Sequence, residues 1–211
     1  MKNKKLEIIL AAVIALLPMI AGVILYDRLP DQIATHFGLN GEADGWSSRA
    51  AAVFMLPAVM AGVTLLCGFS LSTDPKKQNM NPALRSIGIW SAPAVSILVS
   101  AFILSNALGY TSRIELIVPV AVGLLFILIG NYLPKTKQSY TMGIRLPWTL
   151  ASEENWNRTH RLAGFLWVAG GGLMIVLSLL HLWAGWLIIV VVTLLALIPA
   201  IYSYLLYRKG I

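Results

Sequence analysis

Six stretches of about twenty mostly apolar residues, at 6–26, 50–71, 86–108, 116–133, 162–181 and 186–207, constrain this chain of 211 residues more than any other feature. An α-helix rises about 1.5 Å per residue, so a run of that length matches the roughly 30 Å hydrocarbon layer of a bilayer. No water inside lipid can satisfy backbone N–H and C=O groups, and a helix satisfies them within itself. The expected fold class is therefore all-α, a polytopic membrane bundle of six transmembrane helices. Composition points the same way: 58% of the residues are hydrophobic and 12% charged, against about 25% charged in soluble domains. What remains is loops and termini, too little for a separate soluble domain.

The cations orient the bundle. Lys2, Lys4, Lys5, Lys76, Lys77, Arg85, Lys135, Lys137, Arg145, Arg158, Arg161, Arg208 and Lys209 fall on one side of the six runs, and Arg28, Arg49 and Arg113 on the other. Cytoplasmic loops accumulate Lys and Arg, so both termini are expected in the cytoplasm. The net charge of +7 thus sits in small groups at helix ends, not in the stripe that a nucleic-acid-binding surface would need. Met1-Lys2-Asn3-Lys4-Lys5 looks like a signal-peptide n-region, but the apolar run that follows continues to Tyr26. That is longer than an h-region of about 7–15 residues and has no small-x-small cleavage site, so an uncleaved first span is expected. Cys67 is the lone cysteine and lies inside the second run, which leaves no disulfide framework and no thiolate metal cluster. No cofactor is expected.

Five runs carry an internal proline (Pro18, Pro57, Pro93, Pro119, Pro199), and the fifth carries Gly170-Gly171-Gly172 instead. Each proline removes a backbone donor and tends to kink its helix; the glycines remove bulk and let a neighbour come close. Ordinary kinked-helix packing explains both, and a cavity or moving helix is the functional alternative. No Asp, Glu, Lys or Arg lies in the middle of a run, and Arg113 and Glu115 stand only at the mouth of the fourth. Ion-coupled pumps bury such groups at mid-membrane, so their absence weighs against a coupled transporter. Ser91, Ser96, Ser100, Ser105, Asn106 and Asn131 are read as interhelical hydrogen-bonding groups.

Residues 27–49 form the first outer loop. Asn40-Gly41 and Asp44-Gly45 are both turn formers and would fold it tightly back on itself, with Phe37 and Trp46 available to seat it at the lipid interface. His36, Glu42 and Asp44 are chemically suited to hold a divalent cation. Their spacing fits neither H-E-x-x-H nor a calcium loop, and a solvated, structured loop without metal is the expectation.

The inner segment 134–161 is too particular to be membrane filler. Leu133-Pro134 ends the fourth run, because proline cannot continue the helix. Gly143-Ile144-Arg145-Leu146-Pro147-Trp148 opposes helix and predicts an extended turn along the membrane surface, with Trp148 anchored at headgroup depth and Arg145 beside it. Ser152 is an N-cap, with Glu153 and Glu154 in the first turn where the helix dipole favours negative charge. From there Trp156 and His160 share one helix face, Asn157 and Arg161 the next, and the helix should run unbroken into the fifth span. The expected product is a polar ledge of Arg145, Trp148, Asn157, His160 and Arg161, with Asn131 nearby. Its bland reading is a loop glued to its flanking helices.

The string Gly130-Asn131-Tyr132-Leu133-Pro134, then Gly143-Ile144-Arg145-x-Pro147-Trp148-Thr149-Leu150, then Trp156 with Thr159-His160-Arg161, resembles the signature of the SdpI family of bacterial immunity membrane proteins. Leu29-Pro30, His36-Phe37, Asn40-Gly41 and Asp44-Gly45 are similar to the N-terminal module of unassigned function that precedes such proteins. Leu146 stands where members more often have threonine, which questions one hydroxyl contact. The resemblance divides the chain into 1–85, a two-helix module with its outer loop 27–49, and 86–211, a four-helix part with the signature loop. It implies a bacterial plasma-membrane protein giving immunity to a secreted toxin. It also implies a second activity in some members, holding a cytoplasmic transcriptional repressor at the membrane. The site residues it carries over, as toxin- or partner-binding or structural positions, are Asn131, Gly143, Arg145, Pro147, Trp148, Thr149, Trp156, His160 and Arg161. The outer-loop candidates are His36, Asn40, Asp44 and Trp46, and the partners are the toxin, the repressor and membrane lipids.

Two other classes stand against this. A small-molecule or lipid transporter or channel is favoured by the prolines and glycines and disfavoured by the missing mid-membrane charge. An enzyme would have to use His36 with Asp44, or His160 with Glu153, and neither pair has a readable nucleophile–base–orienter set.

Overall fold

The computed structural model describes residues 2–39, 41–110, 113–182 and 185–211. Its helices are α1 (Lys2–Ile24), α2 (Arg49–Thr73), α3 (Pro82–Ala107), α4 (Ile114–Tyr132), α5 (Pro147–Ala151), α6 (Glu153–Leu179) and α7 (Gly185–Arg208), and strands β1 (Gln32–Phe37) and β2 (Ala43–Ser48) join α1 to α2. All but α5 supply a segment long and apolar enough to cross a membrane, which makes six candidate spans among the described residues. They coincide with the six apolar runs, and α6 enters its span without a break from Ser152, as expected. The chain forms two compact units, 1–69 with 88–114, and 70–87 with 115–211.

In the first unit, α1 presents Ala11, Ala12 and Ala15 to the interior. Small residues let helices approach where lipid gives no hydrophobic drive, and the Ser96 hydroxyl of α3 donates to the Ala15 carbonyl at 2.7 Å. The polar segment between α1 and α2 is an antiparallel β-hairpin. Its turn places Gly41 at φ +79°, and Gly38 N–H donates to Glu42 O at 2.8 Å. Asp44-Gly45 does not form a second turn: both residues lie within β2. Gly45 is there because it faces His36, whose Cβ would lie 2.9 Å from any Cβ at that position. Ile33 and Leu29 are buried beneath the hairpin, and Phe37 meets Phe102 edge-on with ring centroids 5.0 Å apart. Asn40 lies outside the described residues.

In the second unit, glycines bring α4 and α6 to backbone contact. Gly130 faces Gly164, where a Cβ would come within 2.9 Å of the Gly164 carbonyl. A Cβ at Gly171 would strike the Gly123 carbonyl. Of the glycine triplet, Gly171 therefore carries the close approach, Gly170 packs on Leu195, and Gly172 faces open space. Pro199 in α7 has no N–H to give to the Leu195 carbonyl one turn earlier. The Trp167 indole of α6 supplies that bond instead, Nε1 to Leu195 O at 3.0 Å, so the proline in α7 is matched by a tryptophan in α6. Trp167 in turn meets Phe126 of α4 edge-on, 5.0 Å between centroids.

Candidate functional site

The second unit carries, at one end of its helices, a folded collar built from the connections 74–81 and 133–152 and the first turns of α6. It starts from helix termination. Tyr132 ends α4, a 3-10 turn at Leu133–Lys135 follows, and Thr136 closes it by donating its hydroxyl to Leu133 O at 2.6 Å. Ser152 then caps α6 by accepting from Asn155 N–H at 3.2 Å, so the positions of α6 residues are set from its first turn.

Those first turns point inward. Trp156 is 1% exposed and His160 1%, and their rings stack at 4.0 Å between centroids. Trp156 Nε1 donates to Thr136 O at 2.9 Å. The backbone N–H of Ile144 donates to His160 Nε2 at 2.9 Å, so that nitrogen is the unprotonated one. Nδ1 therefore carries the hydrogen and gives it to Trp156 O at 2.8 Å, which defines a neutral imidazole used as a structural acceptor. Gly143 lies against both rings at φ +100°, where a Cβ would overlap His160 Nε2 and come within 2.9 Å of Trp156. Glycine is demanded here twice, by backbone conformation and by space.

The following turn is held by Thr149, which is fully buried. Its hydroxyl accepts from Leu146 N–H at 2.8 Å and lies 2.8 Å from the Ile144 carbonyl that it can donate to. Helix begins earlier than expected, at Pro147, whose missing N–H costs nothing at a first helical position. Trp148 packs on α7 against Tyr204 and Tyr207, at 5.4 and 6.1 Å between centroids, and its buried Nε1 has no hydrogen-bond partner among the described residues. Arg145 is exposed and donates to Tyr140 O at 2.7 Å.

Asp74 latches the two connections together. It is 3% exposed, and its Oδ2 accepts from Ser139 Oγ at 2.8 Å, Thr141 Oγ1 at 2.6 Å, Thr141 N at 2.9 Å and Tyr140 N at 3.1 Å. Oδ1 takes Lys76 N–H at 2.6 Å. Burial pushes this carboxyl upward, but the bonds from Thr141, Ser139 and Lys76 outweigh it and hold its pKa below the usual 3.8. Beside it Gln138 donates to Thr149 O and Leu150 O at 2.9 and 2.8 Å. It accepts from Lys76 Nζ at 2.6 Å, while its own carbonyl takes Asn79 Nδ2 at 3.0 Å. Finally Asn155, fully buried, donates to Ser203 O at 2.9 Å and Ile211 O at 3.1 Å, and accepts from Ser203 Oγ at 2.5 Å, which ties α6 to the end of α7.

The expected polar ledge therefore divides. Gly143, Thr149, Trp156 and His160 come together inside the collar, whereas Arg145, Pro147, Asn157, Arg161 and Asn131 are exposed. The ledge placed His160 on the surface because a histidine near headgroup depth reads as polar; a backbone N–H aimed at Nε2 satisfies it inside. Asp74, Gln138, Ser139, Thr141 and Asn155 were not singled out from the sequence. Asp74 had a signal, being the one acid between the second and third spans in a connection that holds Lys76, Lys77 and Arg85.

In the first unit, His36 Nδ1 and Asp44 Oδ1 pair at 2.5 Å across the hairpin on an exposed face, with Trp46 59% exposed beside them. Arg49 pairs with Asp31 at 2.6 Å. Among the described residues no three His, Cys, Asp or Glu side chains converge to hold a metal ion.

A six-span membrane protein with a hydrogen-bonded collar on one unit and a polar hairpin on the other is the class that fold and site define. The model of the SdpI/YfhL protein family matches residues 135–203, and that of a domain of unknown function, DUF1648, matches residues 13–61. The immunity protein SdpI of Bacillus subtilis (strain 168) is 31% identical over 202 residues, covering 95% of this chain and 96% of that protein. The chain belongs to the SdpI family, and it is a multi-pass protein of the bacterial plasma membrane. No solved structure matches it.

Proposed function

We propose that this protein gives its cell immunity to a secreted antimicrobial toxin. The observation that carries this reading is the end-to-end likeness to an immunity protein, 31% identity over 95% of the chain. It is supported by four of the signature residues, Gly143, Thr149, Trp156 and His160, which come together inside one collar. The charge asymmetry of the loops supports an orientation with both termini and the collar on the cytoplasmic side and His36, Asp44 and Trp46 outside. A secreted toxin meets the hairpin and span surfaces first, so these engage it. The exposed cations Arg145 and Arg161 support an inner partner, a cytoplasmic repressor held at the membrane when toxin is sensed.

Expression in a toxin-sensitive bacterium, challenged with candidate secreted peptides, tests the reading: survival is expected, and killing at normal protein level overturns it. Replacing Arg145 or Trp148 should harm signalling more than survival, and equal loss of both at unchanged protein level would remove the division of labour. The transporter reading requires solute flux through the protein in liposomes.

A further inference from the structure

Beside the collar lies a cleft of about 420 Å³ lined by Asn79, Lys137, Gln138, Glu153, Trp156 and Asn157. Its floor is spoken for. Trp156 and Gln138 are buried, with their polar atoms bonded within the collar. Its rim is not. Lys137 and Glu153 are exposed and stand on the same opening with opposite charge, and neither makes an ion pair among the described residues; the neighbouring Glu154 is the acid that pairs, with Arg158. Asn157 is exposed on the same rim, and Asn79 spends one amide hydrogen on Gln138 O, keeping a second donor and its oxygen.

A site lined by an ammonium, a carboxylate that is not paired with it and two amides complements a zwitterion, an anion that accepts several hydrogen bonds joined by a short link to a primary ammonium. At about 30 Å³ per water the cleft holds roughly a dozen waters, too much for a single ion and enough for a group of about ten heavy atoms. Asn79, Lys137 and Gln138 come from the connections after α2 and α4, and Glu153, Trp156 and Asn157 from the first turns of α6, the polar end of its candidate span. That is the depth at which phospholipid headgroups lie.

We propose that this cleft is a binding site for an aminoalkyl phosphate, the headgroup chemistry of phosphatidylethanolamine. The phosphate sits on Lys137 and Asn79, and the ammonium donates to Glu153 and to the amide oxygen of Asn157, one turn on along the same face of α6. Trp156 forms the apolar wall under the link. The occupied cleft joins the connection at 137–138 to the start of α6, so the headgroup is an added brace on the collar. A quaternary choline offers no N–H to Glu153, and a glycerol headgroup offers no cation, so both should bind less well.

The test is native mass spectrometry of the full chain released from detergent, titrated with phosphatidylethanolamine, phosphatidylcholine and phosphatidylglycerol of identical acyl chains. Free phosphoethanolamine at millimolar concentration serves as the competing arm. Phosphatidylethanolamine should bind about threefold tighter than either other lipid, the scale of a solvent-exposed ion pair. Glu153→Gln should erase its advantage over phosphatidylglycerol, and Lys137→Gln should weaken all three lipids about threefold. Displacement of the lipid by free phosphoethanolamine places recognition in the headgroup, and equally tight binding of the free compound assigns the site to a soluble source of the same chemistry. Equal binding of the three lipids, a ranking unchanged in both variants, or no displacement overturns the proposal. Both residues are exposed, and an unchanged unfolding midpoint confirms that each variant is folded; the ranking in the unmodified protein stands as a test without them.

Discussion

The hairpin and the collar both put a histidine next to polar partners, yet they use it in opposite ways. His36 pairs with Asp44 in open water, its side chain 75% exposed and that of Asp44 53%. Exposed ion pairs of this kind are worth about 0–1 kcal/mol, because solvent already satisfies both groups. His160 is 1% exposed, and each of its nitrogens has one partner. There a lost bond leaves a buried polar atom unsatisfied, which costs about 1–3 kcal/mol. The same residue type is an adjustable surface in one region and a fixed part of the framework in the other. A surface free to exchange partners suits recognition from outside, and a satisfied network suits holding a loop in one shape.

The sharpest way to break this contrast is at the centre of the collar. Trp156→Ala removes the ring on which His160 and Gly143 rest, and should cost about 3–5 kcal/mol, read as a large fall in the thermal unfolding midpoint in detergent. A shift no larger than that of a hairpin variant would refute the framework role. Gly143→Ala introduces a Cβ that overlaps His160 Nε2 and forces alanine to φ +100°; a loss of about 2–3 kcal/mol is expected from strain of this kind. Wild-type stability here would show that the turn simply moves aside.

Asp74→Asn tests the latch. An amide cannot accept all the hydrogens that Oδ2 receives from Ser139, Tyr140 and Thr141, and hydrogen bonds to a charged group contribute about 1.5–3 kcal/mol. Because the folded carboxyl titrates below its usual 3.8, its stabilisation is complete at neutral pH and is lost as pH falls from about 4 through the folded pKa. The unmodified protein should therefore lose stability over that acidic range, and Asp74→Asn should lose less. Parallel pH curves for the two would remove Asp74 from this role. The smallest effect belongs to the hairpin: His36→Gln should change the unfolding free energy by less than about 1 kcal/mol. If it also leaves survival under toxin unchanged, His36 has no part in recognition.

Much of the fold was legible from local pattern. Apolar runs of membrane length gave six spans, Ser152 with Glu153 and Glu154 gave the start of α6, and the glycine triplet announced a close helix approach, which Gly171 makes. Trp156 and His160 were placed on one face by spacing alone, and they do stack. What could not be read was which polar residues would be withdrawn from water. Asp74 and Thr141 are 67 residues apart in the chain, and Asn155 and Ser203 are 48 apart. No periodicity connects residues at such distances. The hairpin was missed as strand because its alternation is weak and Asp44-Gly45 carries a strong turn signal, which pairing with His36 overrode.

The sequence by itself determined that this chain lives in a membrane, that it has six spans, and where α6 starts, because those follow from hydrophobic length and caps acting over a few residues. Only the tertiary structure decided that His160 is an interior acceptor and not a surface base, that Trp167 answers the proline in α7, and that a single carboxylate gathers two connections. These outcomes depend on which backbone groups are left unpaired once the helices have packed, and a buried polar group takes whatever partner the fold brings within about 3 Å.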